Sequence, residues 1–166
     1  LWERVGERGY PPIKGECLSK VIGEKMQYKR FATTYVIRLE RGDEIVDRLR
    51  VFVEKEEITG GFFYGLGAVK NVSLGYFDVG KKEYKEKFFE QEFELTSMVG
   101  NVFFSGDKII VHAHVTLAGE DFKVVAGHLN KATVTATIEI VFNPIEGKLS
   151  KKTDPITGLN LMDLKE

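Results

Sequence analysis

A single cysteine, Cys17, stands in the 166 residues, so the chain can form no internal disulfide and no cysteine zinc cage. Neither sign of charge dominates. With 24 Lys and Arg against 25 Asp and Glu the net charge is -1, which excludes the broad electrostatic pull of a basic domain toward nucleic acid. No apolar run approaches the roughly 18 residues of a membrane span, so no membrane partner is expected. The opening LWERVGERGYPPIKGE lacks the apolar stretch of a signal peptide, and a cytoplasmic protein is therefore expected. Only two Gln accompany abundant Lys and Glu, a bias associated with heat-loving organisms.

What is present describes one folded domain. A hydrophobic content of 43% beside 30% charged residues is too apolar for a disordered chain, and the length suffices to bury a proper core. Residues 1–25 show no clean periodicity and are broken by Gly9, Pro11 and Pro12, so they are read as an appendage. Phe31 to Leu39 is a strand by its β-branched and aromatic content. Asp43 is the expected N-cap of a helix running to about Glu57, with Ile45, Leu49 and Phe52 on its apolar face and Asp47, Arg48, Arg50, Glu54 and Lys55 in solvent. GFFYGLGAVKNVSLGYF reads as a strand, a kink and a second strand, with Gly65 and Gly67 marking a bulge or close backbone approach and not a phosphate loop.

Glu83 to Phe89 returns as a strand whose lysines form a solubilising edge. Phe93 to Phe104 reads as a strand pair or a strand broken at Gly100 and Asn101. Ile109 to Leu117 and Lys123 to Leu129 make a hairpin, and Thr133 to Phe142 closes the sheet before Asn143 and Pro144. The resulting expectation is an α+β domain over 26–144, a mainly antiparallel sheet of about seven strands with one principal helix, followed by a C-terminal tail over 145–166. Leu159, Leu161, Met162 and Leu164 give that tail an apolar patch which stays exposed unless it packs on something.

All three histidines fall between Gly106 and Asn130. His112 and His114 are two apart in an alternating run, so a strand points both imidazoles to one face. His128 arrives one hairpin later, and its face depends on the loop. A three-residue loop of Gly119, Glu120 and Asp121 sets it opposite His112; a four-residue loop turns it away. Three imidazoles on one face are a donor set for Zn²⁺ with an open fourth position, and Glu120, Asp121 and Glu139 are the candidate carboxylates if that position works as a catalyst. The spacing Gly106, His112, His114, Glu120, Gly127 imitates a cupin metal motif, but a cupin needs a further histidine downstream and none follows His128.

The order of segments supplies a better match. RLERGDEIV at Arg38 to Val46, GFFYGLGAV at Gly61 to Val69, SLGYFD at Ser73 to Asp78, FELTSMVGN at Phe93 to Asn101, HAHVTLA at His112 to Ala118 and VVAGHL at Val124 to Leu129 together resemble the plants-and-prokaryotes-conserved domain family. The resemblance implies an α+β fold assembled as a homotrimer. In plant members the domain follows an AT-hook and acts in nuclear regulation; no RGRP core occurs here, and the plant partner-binding segment agrees only at Phe93 and Glu94. Prokaryotic relatives carry the label of DNA-binding proteins by analogy, and some hold a metal through residues that map onto His112, His114 and His128. The expected function is a metal-binding regulatory or scaffold module with a DNA association; the alternative is a small zinc enzyme.

Overall fold

The computed structural model describes residues 26–164; the proposed appendage and Cys17 lie outside them. Strands β1 (Gln27–Phe31), β2 (Thr34–Glu40), β3 (Gly61–Asp78), β4 (Glu83–Phe89), β5 (Phe93–Ser105), β6 (Lys108–Ala118) and β7 (Val124–Pro144) form one antiparallel sheet in the order β1-β2-β7-β6-β5-β3-β4. One helix, α1 (Ile45–Lys55), follows β2, and a short ribbon of β8 (Lys151–Thr153) and β9 (Asn160–Met162) ends the described chain. β3 also pairs with β7, so β3, β5, β6 and β7 close into a ring. Among the described residues no helix is long and apolar enough to cross a membrane.

Strict alternation explains the core. Ile37 and Leu39 of β2, Val111, Ala113, Val115 and Leu117 of β6, and Ile138, Ile140 and Phe142 of β7 all turn inward, because successive side chains leave opposite faces of a strand. α1 lays Ile45, Leu49, Phe52 and Val53 against them. Phe52 meets Phe142 edge-on at 5.4 Å between ring centroids, and Phe63 stacks on the same ring at 6.1 Å. Each such fully buried side chain contributes about 1.5–3 kcal/mol relative to exposure.

Several local expectations change in detail. The helix cap is Glu44, whose carboxylate accepts from the backbone of Val46 and Asp47 and also from Ala132 of β7. Asp43 is buried instead, because it accepts from the backbone of Glu40 and pairs with Arg48 at 2.8 Å, which takes Arg48 out of the solvated face. β3 and β5 are each continuous, and the two segments expected at Lys123 to Leu129 and Thr133 to Phe142 are one strand, β7. Length is tolerated because irregularities absorb the twist. A bulge lies between Gly65 and Gly67, as expected. At Gly67, where φ is +151°, a Cβ would stand 2.0 Å from the Thr137 carbonyl oxygen, so only glycine lets β7 approach.

Candidate metal centre

The histidine hairpin settles the open register. Ala118 pairs with Val124, leaving residues 119–123 as the loop, and His128 lies opposite His114, not His112. The loop closes with Gly119 N–H donating to Lys123 O and Phe122 N–H to Gly119 O, while Phe122 takes a left-handed φ of +59° and Asp121 accepts from the Lys123 backbone. Three and five are both odd, so His128 keeps the expected face although it slides by two positions.

That face is the outer one. Val111, Ala113 and Val115 are buried, so the intervening His112 and His114 point away from the core, with His114 exposed and His112 and His128 half-buried. The three rings stand 5.1 to 5.6 Å apart between centroids, and one nitrogen from each lies within 4.8 Å of the others. A tetrahedral ion bonded at about 2.0–2.1 Å spaces its ligands roughly 3.3 Å apart, so modest ring rotations close the set. Burial lowers the pKa of His112 to about 3, helped by the charges of Lys151, His128 and His114; burial likewise lowers His128 to about 4, helped by His114 and Lys151. Both rings therefore stay neutral and keep a lone pair for a cation.

Asn101 supplies an independent test of fit. It lies directly opposite His112 on β5, and its buried Oδ1 has no hydrogen-bond partner. A ligating histidine carries its remaining proton on the other ring nitrogen and gives it to a carbonyl or carboxylate, and the unused carbonyl at the strand position paired with His112 is an acceptor of the kind such a site calls for. The donor set and this acceptor fit a metal. Around them, Ser73 donates to Glu86 and Asn130 donates to Ser73 at 3.3 Å, and Tyr84 stands 6.0 Å from His128 between ring centroids.

None of the three candidate carboxylates joins the cluster. Glu120 and Asp121 are exposed at the hairpin tip, where Asp121 pairs with Lys123 at 2.7 Å. Glu139 pairs with Arg38 and Leu66 at the far end of β7 from His128. Two residues escaped the sequence reading. Asn101 was within reach, because Gly106 and Asp107 form a two-residue hairpin turn between Ser105 and Lys108, and counting back from it sets Asn101 near His112. Lys151 was not: its Nζ lies 3.5 Å from His112 Nδ1 and 3.7 Å from the centroid of the Phe103 ring, but it comes from the tail, where no periodicity announces it.

Fold and site thus define an antiparallel α+β domain that carries a three-histidine, metal-competent cluster on its outer face. The model of the Plants and Prokaryotes Conserved (PCC) domain matches residues 26–146, and the chain belongs to that family. Among solved structures it is similar to a plant- and prokaryote-conserved protein from Pyrococcus horikoshii, with 31% identity, a TM-score of 0.73 and coverage of 87% of this chain and 99% of that one. A metal-containing protein from Archaeoglobus fulgidus is similar at 31% identity and TM-score 0.74, over 84% of this chain and 98% of its own. A candidate DNA-binding protein from Bacteroides thetaiotaomicron is similar at 28% identity and TM-score 0.81, again over 84% and 98%. Among curated proteins none matches.

Proposed function

We propose that the chain is a cytoplasmic, homotrimeric regulatory or scaffold module that holds one zinc ion through His112, His114 and His128. The observation that carries this reading is the convergence of three imidazoles within 4.8 Å on the outer face of the sheet, with no carboxylate in the group. The Archaeoglobus relative's description as metal-containing supports it. Zinc is the ion that neutral imidazoles in a small tetrahedral set suit well.

Assembly is supported by the same outer face. Val36, Val141, Tyr64 and Val99 follow one another across β2, β7, β3 and β5 in register, and the row runs on into His114 and His128. Tyr64 and Val99 are more than half exposed, and Phe62 and Leu66 flank them. A second copy is the natural cover for such a row. DNA association is the weakest part of the reading, because it comes from the Bacteroides relative's description and the net charge of -1 lends it nothing.

Elemental analysis of the untagged protein and of His112→Ala tests the centre. About one zinc per chain, lost in the variant, is expected; absence of metal from both removes the reading. Sedimentation gives the number of chains, and a mobility shift that weakens as salt rises is the signature DNA association must show. An enzyme would use the open fourth position to acidify a bound water. That reading stands second, because the carboxylates expected to act as its base lie elsewhere.

A further inference from the structure

Lys151 sits where a metal site should not tolerate it. Its Nζ is 3.5 Å from His112 Nδ1, the ammonium rests on Phe103, and among the described residues it has no carboxylate partner. The placement is built by the fold. Leu149 O accepts from Phe104 N–H, Leu149 N–H donates to Thr59 O, and a parallel bridge joins Phe104 to Ser150, so the tail is pinned along β5 one residue before Lys151. Leu149 is buried and Phe103, an outer-face residue of β5, is covered. Lys151 also lies beyond residue 146, the last that the family model matches.

In the metal-free chain the contact is a simple one: the ammonium donates to a neutral imidazole. A bound cation abolishes it by either route. If His112 binds through Nε2, its proton moves to Nδ1 and two donors face each other; if it binds through Nδ1, the lone pair that Lys151 uses is taken. Loading the cluster therefore takes from the half-buried ammonium its one hydrogen-bond acceptor among the described residues, beside a divalent cation held by neutral ligands. Repulsion and lost hydrogen bonding both oppose that state unless an anion enters.

We propose that Lys151 makes the loaded histidine cluster a receptor for a small carboxylate anion, the second oxygen of which accepts from the ammonium while the first faces the metal. This rests on the metal-centre reading above. A carboxylate suits the site because it carries two oxygens on one carbon and a single negative charge, and the cluster offers one cation and one ammonium as separate partners. Phosphate would bring further oxygens and charge, whereas Lys151 is the one lysine or arginine among the charges that act on His112 and His128. Bicarbonate shares the carboxylate's geometry and belongs to the same class.

The test uses the full chain loaded with Co²⁺, whose visible spectrum reports changes in coordination, titrated with acetate, bicarbonate and inorganic phosphate. Acetate or bicarbonate is expected to perturb the spectrum at lower concentration than phosphate. Lys151→Met, which keeps the stem over Phe103 but removes the charge, is expected to weaken that binding by roughly 10-fold or more, and Lys151→Arg to restore most of it. Equal carboxylate binding by wild type and Lys151→Met overturns the proposal, as does tighter binding of phosphate. Full cobalt occupancy in both proteins separates this failure from failure of the metal centre, in which no cobalt would be retained at all.

Discussion

The two faces of one sheet obey different rules. On the inner face apolar side chains dominate and α1 packs against part of them, with Ile37, Leu39, Ile138, Ile140 and Phe142 fully buried. On the outer face the same strands carry Val36, Tyr64 and Val99 in the open beside a half-buried Val141, then turn polar at Asn101, His112, His114 and His128. A solvated sheet face ordinarily alternates to Lys, Glu and Thr. The inner face therefore accounts for folding, and the unusual makeup of the outer face is what the proposed binding rests on.

Truncating the inner face should give the largest effect. Phe142→Ala removes a ring that touches both Phe52 and Phe63, and should cost about 3–5 kcal/mol in urea unfolding of the metal-free protein. A loss below about 1 kcal/mol would mean that the core lies elsewhere. An intermediate effect is expected from acid. Unfolded histidine titrates near 6.5, while burial holds His112 near 3 and His128 near 4, so below about pH 6.5 the unfolded chain binds more protons at these sites. Stability that is present at neutral pH is thus lost as pH falls through 6.5 toward 3.

Glu44 runs the other way, since burial, aided by the charge of Asp47, raises it to about 7, and its contribution is lost as pH rises through that value. One group does not cancel two. Comparing metal-free wild type with His128→Ala between pH 7 and 4 isolates the histidine part, and the variant should show the shallower acid decline. Identical slopes would show that the histidines are not buried in the folded chain. The smallest effect belongs to the outer apolar row. Tyr64→Ser should change the unfolding free energy of the dissociated chain by no more than about 0.5 kcal/mol, yet shift sedimentation toward single chains. A large stability loss there would erase the distinction between the faces.

Much of this was legible in the residues. β-branched alternation gave the strands, and the spacing of Ile45, Leu49 and Phe52 gave α1, because both elements bury one face and the period of burial is written in the chain. The three histidines were legible as a group for the same reason. Their pairing was not, since a hairpin of either three or five residues satisfies the alternation, and the left-handed turn at Phe122 is a conformation that residue type does not advertise. Asp43 looked like the cap because it precedes the apolar stripe, but the nearby Arg48 claims it and the next carboxylate takes over. Lys151 reaches His112 only through the backbone pinning of Leu149, a contact between distant segments that local pattern does not encode.

β7 has a consequence for how the molecule comes into being. It pairs with β2, β3 and β6, and Thr34 finds its hydrogen-bond partner Asn143 at a separation of 109 residues. A chain still emerging from the ribosome therefore carries β2, β3 and β6 with open edges until the last of the large strands is made. Such nonlocal closure makes folding slow, on the millisecond-to-second scale of topologies rich in distant contacts. Any truncation before residue 124 leaves those edges exposed to other chains, so nascent fragments of this domain are expected to aggregate where the finished one does not.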